Sequence, residues 1–380
     1  MNNRECLDMA AQVIAQVGRG QRADDVLRRA FPRRAHADSE LRRAVSLRVF
    51  EYFRWKGLVD RKKPLPNRMR ETEELARQFG EDPMSFTAET LGRAVPDWLS
   101  DQMAIPVDWL RSIQCLPRLW IRAQTKNVGQ VEAGLGDLVR PSQAPGLGAF
   151  EYCGSLDLFN SPEFKDGLFE IQDLSSQWVG SLCDPKPGET WWDACAGEGG
   201  KFLDLADRMN NRGMIWVTDR SNRRLTRLKQ RAARASVFNY RRKLADLVKG
   251  APFKVRFDGV LVDAPCSGVG TWQRNPDARW TTSSQDVSEL AIIQKKLLAI
   301  AAKQIKPGGK LVYAVCTLTR SETVEVANWF EREEPGFEPL SLDVVGMKTP
   351  DEWPARDWWC WLGGSSGEGN GMFVAAWRRR

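Results

Sequence analysis

Two cysteines and a carboxylate stand where an α/β sheet does its chemistry. The stretch Val260–Gly268 opens as an apolar run suited to a buried parallel strand. It breaks at Asp263 and turns through Pro265 and Gly268, which carries Asp263 and Cys266 out of the sheet. A second apolar run, Leu311–Val315, ends in the same way at Cys316 and Thr317. Ligands of open α/β sheets bind beyond the carboxyl ends of the strands, so two such strand ends can bring both thiols to one pocket. Free cysteines are among the most buried residue types, and Cys183 and Cys195 read as plain core residues. A pair of strand-end thiols, one beside a carboxylate, reads as chemistry.

A second constellation precedes the first. A strand, Thr190–Cys195, runs into the loop Ala196, Gly197, Glu198, Gly199, Gly200 and Lys201, and the next strand, Met214–Thr218, ends on Asp219. Glycines let a backbone approach a ligand closely, and an acid ending the second strand accepts ribose hydroxyls. The loop lacks the G-x-G-x-x-G spacing, and Glu198 would repel a pyrophosphate. A cationic sulfonium meets no such objection, so S-adenosylmethionine fits better than NAD. A methyl donor gives the thiols a purpose. Carbon 5 of a pyrimidine is too weak a nucleophile until a thiolate adds at carbon 6. A carboxylate such as Asp263 can hold the exocyclic amine and N3 of cytosine. A second polar group then helps remove the carbon 5 proton and release the thiol.

The elements that must position these groups alternate strand and helix from Ile171 onward, the pattern of a doubly wound sheet. Helices are predicted at Leu174–Leu182, Phe202–Met209, Asn222–Ala235 and Ser321–Phe330, and a last strand at Met372–Trp377. The segment flanking Asp246 reads as irregular. The helix beginning at Asn222 carries Arg223, Arg224, Arg227, Lys229, Arg231 and Arg234, a mixture of solvated face and attraction for RNA. In the loop 270–280, Trp272 and Trp280 either cap the sheet or, with Arg274 and Arg279, stack bases and contact phosphates. Before the sheet, Trp120–Gln124 reads as a strand among Gly/Pro turns. Residues 1–63 read as basic helices, with Ser39 a candidate N-cap. Their arginines, Arg42, Arg43, Arg48 and Arg54, form a solvated face or an RNA-docking one. Trp98 and Trp109 sit in short amphipathic pieces expected to pack against a neighbour. The expected division is 1–115 helical, 116–170 a small β-containing subdomain, and 171–380 the catalytic sheet.

Composition limits the alternatives. The 380 residues suffice for two or three domains, 42% hydrophobic content marks a globular chain, and a net charge of +7 favours an anionic partner. Eight scattered cysteines and a single histidine, His36, argue against a Cys/His metal site, a disulfide framework and a Cys-His hydrolase. No signal core or membrane-length apolar run occurs, so a cytoplasmic, monomeric protein with reduced thiols is expected, with neither membrane nor metal as partner.

The motifs Asp193–Lys201, Asp263–Gly268, Asn275–Trp280 and Val315–Thr317, in this order, resemble those of RNA (cytosine-5) methyltransferases, and more narrowly of the RsmB/NOP/NSUN family. The resemblance covers residues from about 171 to the end. The segment around Trp120 is similar to that family's small RNA-binding subdomain, and residues 38–60 faintly resemble its NusB-like domain. It implies a Rossmann-like, class I S-adenosylmethionine-dependent methyltransferase sheet preceded by a helical domain and that subdomain. It further implies that Cys316 attacks carbon 6, that Cys266 assists product release, and that Asp263 lies between cofactor and base. The loop Cys195–Lys201 would wrap the cofactor's methionine end, Asp219 hold its ribose and Asp246 lie beside its adenine. The substrate it implies is RNA, ribosomal RNA before tRNA. A DNA methyltransferase would attack with its Pro-Cys thiol and need no Cys316; an inactive ribosome-assembly factor would need neither thiol. Two positions depart from the family pattern: Glu198 stands where proline is common, and Ala314-Val315-Cys316-Thr317 where Ser-Thr-Cys-Ser is commoner.

Overall fold

The computed structural model describes residues 3–17, 21–31, 39–141, 144, 147–342, 359–363 and 368–380, so His36 and the cap side chain of Ser39 lie outside it. The chain divides into two compact units, residues 1–117 with 271–284, and residues 118–270 with 285–380.

The second unit holds both sheets. Strands β1 (Trp120–Ala123), β2 (Leu138–Val139), β3 (Ala149–Tyr152) and β4 (Phe169–Ile171) form an antiparallel sheet in the order β2-β3-β1-β4. The larger sheet contains β5 (Thr190–Asp193), β6 (Met214–Asp219), β7 (Tyr240–Leu244), β8 (Phe257–Asp263), β9 (Ile305–Val315), β10 (Phe337–Pro339), β11 (Trp359–Leu362) and β12 (Met372–Arg379). Its order is β10-β12-β9-β8-β5-β6-β7, with β11 also paired to β12. Strands β5 to β9 run parallel, whereas β12 enters antiparallel beside β9. Strand order reverses at β5, so β5, β6 and β8 deliver their carboxyl ends to the crevice where α/β sheets bind ligands.

This is the class I methyltransferase architecture, and the central strands show why it forms here. Val260, Leu261 and Val262 of β8, and Leu311 to Val315 of β9, are all fully buried, as strands covered on both faces must be. Their register sets Asp263 opposite Ala314, so the two chains leave the sheet at the same level. Helices Leu174–Cys183, Gly200–Arg208, Asn222–Arg234 and Ser284–Ala302 supply the crossovers and covering layers. The small sheet shares its core with the large one: Trp120 and Ala149 pack in one cluster with Trp178, Leu203 and Leu261. Buried Arg122 of β1 adds polar ties, donating to Gln172 at 2.8 Å and to Asp207 at 3.3 Å.

In the first unit, helices α1 (Asn3–Val17), α2 (Ala23–Ala30), α3 (Ser39–Trp55) and α4 (Leu65–Glu81) enclose a core of Cys6, Ala10, Ile14, Val26, Val49, Phe53 and Met69. Three features differ from expectation. Residues 271–284 belong to this helical unit rather than to the sheet unit, and the small β sheet belongs with the large one. Strand β7 replaces the irregular segment before Asp246; its exposed residues include Arg241, Arg242 and Lys243, charges that blunt a sheet edge and erase apolar alternation. The helix expected from Ser321 starts at Val324, after a single 3₁₀ turn over Arg320–Glu322.

Candidate active site

The ends of β8 and β9 bring the two thiols together: Cys266 Sγ and Cys316 Sγ lie 3.4 Å apart. Each is half-buried. The Cys266 pKa is driven well above a thiol's ordinary value, first by its hydrogen bond with Cys316, then by burial and by the charges of Cys316 and Glu322. Cys266 is therefore held as a neutral thiol, hydrogen-bonded with the other sulfur. Lys201 leans the other way. Burial opposes its charge, but Asp263, at 2.7 Å from Nζ, and Cys316 raise its pKa overall.

Beneath the thiols lies a group that residue types alone do not mark. Glu322 is fully buried. Its Oε1 accepts from the Ser267 N–H at 2.9 Å and from Gln294 Nε2 at 2.9 Å. Its Oε2 accepts from the Thr319 hydroxyl at 2.8 Å, the Thr317 hydroxyl at 3.2 Å, and the Ser267 hydroxyl. Ser267 follows Cys266 and Thr317 follows Cys316, so one carboxylate ties both cysteine loops together. Gln294 extends the network to the Pro265 carbonyl at 3.0 Å and to the Tyr313 hydroxyl, which donates to it at 3.0 Å. The available signal was an acid six positions after Cys316, in a segment that reads as the start of a helix.

The loop after β5 makes a second cradle. Gly197 and Gly199 have φ of +57° and +89°, in the left-handed region that favours glycine, and a Cβ on Gly199 would meet Leu228 at 2.8 Å. Nothing lies within 4 Å of a Cβ position at Gly197, so the loop presents bare backbone to open space. Asp219, nearly buried at the end of β6, accepts from the Gly197 N–H at 3.0 Å and the Ser221 N–H at 2.7 Å. These bonds fix its carboxylate while leaving lone pairs for a diol. Cys195 and Ala196 line the turn, the Cys195 thiol pushed well up by burial and by Asp193. Asp193 is buried, and burial, aided by Asp263 and opposed by Lys201 and the Cys195 backbone, pushes its pKa to about 8. Exposed Asp246 follows β7 and caps the turn Leu247–Lys249 through the Val248 N–H. Bare backbone, a fixed diol acceptor and neighbouring carboxylates suit the adenosyl and sulfonium parts of S-adenosylmethionine.

The basic groups divide unexpectedly. Glu198, the odd acid in the cradle, is paired with Arg227, and its carbonyl accepts from Arg231 at 3.0 Å. Arg231 and Arg234 both hold buried Glu170. Half of the basic helix thus braces its own unit, leaving Arg223, Arg224 and Lys229 exposed. In the loop 270–280 only Arg274 of the expected RNA contacts is exposed. Trp272 and Arg279 are corrections: both are fully buried. Trp272 packs against Trp98 and Trp109, with ring centroids 6.1 and 6.3 Å away. Arg279 donates to the carbonyls of Ile113, Trp272, Arg54 and Ala94, and burial drives its pKa well down. A guanidinium spent on main-chain carbonyls inside a helical core has nothing to offer a phosphate.

Fold and site together define a class I methyltransferase with paired cysteines at the switch point. Residues 181–377 match the family described as 16S rRNA methyltransferase RsmB/F, and the chain belongs to that family. Among curated proteins it is 34% identical to the probable ribosomal RNA small subunit methyltransferase B of Bacillus subtilis (strain 168), over 69% of this chain and 61% of that protein. It is also 34% identical to the tRNA (cytosine(72)-C(5))-methyltransferase NSUN6 of Mus musculus, over 47% of this chain and 40% of that one. The chain thus spans about three-fifths or less of these relatives' lengths. The crystal structure of PH0851 shares the fold, with a TM-score of 0.78 and 22% identity, covering 100% of this chain and 99% of that one.

Proposed function

We propose that this protein methylates carbon 5 of cytosine in RNA, ribosomal RNA being the substrate, through a covalent bond between Cys316 and carbon 6. The observation that carries the reading is the thiol pair: the Cys266 and Cys316 sulfurs lie 3.4 Å apart where β8 and β9 leave the sheet, and the Cys266 pKa is raised by its bond to Cys316 and by burial. S-adenosylmethionine, held by the Cys195–Lys201 loop and Asp219 with Asp246 toward its adenine, supplies an electrophilic methyl group when bound.

Cys316 adds as a thiolate to carbon 6, and the ring electrons move to carbon 5, which becomes nucleophilic. Asp263 accepts from the cytosine amine and favours protonation at N3, which stabilises the adduct. Once the Cys316 sulfur is alkylated it can no longer hold the hydrogen bond or carry the charge that keep Cys266 protonated. The Cys266 pKa then falls, so that it gives up its own proton to solvent and, as a thiolate, takes the carbon 5 proton after methylation. The electron pair of that C–H bond re-forms the 5,6 double bond and expels the Cys316 thiolate.

A bisulfite comparison of total RNA from cells with and without the gene tests this. Loss of one 5-methylcytosine in 16S rRNA is expected. Loss only from a tRNA would favour the substrate named for the mouse relative, and an unchanged map would reject the activity.

A further inference from the structure

The helical unit contains a cavity of about 270 Å³ lined by Lys56, Arg61, Arg68 and Trp280. Three cations and an indole line it, and no carboxylate does among the described residues. The Lys56 ammonium lies 5.1 Å from the Trp280 ring centroid and 5.5 Å from that of Phe53. Its charge is opposed by burial and by Arg61 and Arg68, which push its pKa down to about 8. Arg68 donates from Nη1 to the Tyr52 hydroxyl at 2.8 Å, but its Nε is buried with no acceptor. Arg61 is exposed and forms no ion pair among the described residues. The indole N–H is already spent on the Phe53 carbonyl at 2.7 Å. Gly57, next to Lys56, is packed closely: a Cβ there would meet the Arg93 carbonyl and, at 2.7 Å, the Trp280 ring.

Other cations of this unit have carboxylate partners, as Arg48 has Glu73 at 3.0 Å and Arg77 has Glu74 at 2.6 Å. Uncompensated like charges around a hollow raise the energy of the free protein and lower it again when an anion arrives. We propose that this cavity is a phosphate-binding site, used to hold one phosphodiester of the RNA substrate. The proposal rests on the RNA reading given above. Arg61 reaches from solvent, Lys56 supplies a partly desolvated charge, and the unpaired Arg68 Nε–H points to a missing acceptor.

The test uses the full chain and a fluorescent single-stranded oligoribonucleotide, with Lys56→Gln and Arg61→Gln as variants. Each substitution removes a repelled charge rather than half of an ion pair, so denaturation midpoints should stay level or rise. RNA affinity should fall by roughly fivefold or more per variant, and the dependence of log affinity on log salt should flatten by about 0.7 for each lost contact. S-adenosylmethionine affinity should not change. This coupling of equal or higher stability with weaker RNA binding is what a purely structural cluster would not produce. Unchanged RNA affinity and salt slope in folded variants overturns the proposal. If inorganic phosphate raises the wild-type midpoint but not the variants', and RNA affinity is unaffected, the cavity takes free anions and the RNA assignment falls. Failure of the functional reading looks different, because the wild-type chain itself then neither binds nor methylates RNA, and both readings fall together.

Discussion

Replacing Glu322 separates its two jobs, holding the cysteine loops together and raising the Cys266 pKa. In Glu322→Ala the Ser267 N–H and the Gln294 amide, each 2.9 Å from Oε1, lose a buried acceptor together with the hydroxyls of Ser267, Thr317 and Thr319. At about 1–3 kcal/mol for a buried group left unpaired, with hydroxyls partly able to re-pair with one another, the loss is about 3–5 kcal/mol. That is a large part of the stability of most domains. Glu322→Gln is gentler: it keeps the volume and one acceptor, and the three hydroxyls can rotate to accept from the new amide. A cost of about 1–2 kcal/mol is expected. Because the Glu322 charge is one of the groups that raise the Cys266 pKa, its removal should also shift that thiol's titration downward. The assay is alkylation by iodoacetamide across pH, read at the Cys266 peptide by mass spectrometry, alongside urea denaturation and methyl transfer. The Glu322→Gln curve should move to lower pH while kcat drops. A folded Glu322→Gln protein with a wild-type alkylation curve and wild-type kcat would mean that Glu322 neither tunes Cys266 nor positions the two cysteine loops for catalysis.

Asp219→Ala removes an acceptor that the Gly197 and Ser221 amides hold in place, and S-adenosylmethionine affinity by calorimetry should fall at least about tenfold. Asp193 is held near a pKa of about 8 by burial, against the ordinary carboxylate value in the unfolded chain. Its contribution to folding is therefore most favourable below about pH 4 and is lost as pH rises through about 8, several kcal/mol in all. Asp193→Asn should be the more stable protein at pH 8 and show a flatter dependence of urea midpoint between pH 5 and 8. Arg279→Met leaves four main-chain carbonyls without a donor they now share; it should cost about 3 kcal/mol or more in denaturation, without the selective RNA defect of a surface contact.

The parts of the site legible in the sequence are those fixed by local pattern. The unbroken apolar run of β8 gives its burial away, and Asp263 then has to stand at its end, as Asp219 does for β6. What escaped depends on partners distant in the chain. Trp272 and Arg279 have the residue types of an RNA contact, but Trp98, Trp109 and the carbonyl of Ile113 enclose them. Glu322 becomes informative only when Ser267, Gln294 and Thr317 converge on it. Glu198 looked like a flaw in a cofactor loop until Arg227, on the next crossover helix, neutralised it. Strand β7 was missed because an exposed edge carrying Arg241, Arg242 and Lys243 has no buried face to impose alternation.

Trapping the adduct shows whether Cys316 attacks and Cys266 acts afterwards. Each single Cys→Ala variant is mixed with RNA and S-adenosylmethionine and run on a denaturing gel. Cys266→Ala retains the attacking sulfur but cannot complete the elimination, so it should accumulate a covalent protein–RNA complex. Cys316→Ala has no nucleophile and should form none. An adduct with Cys316→Ala but not with Cys266→Ala would contradict the account and exchange the roles of the two thiols.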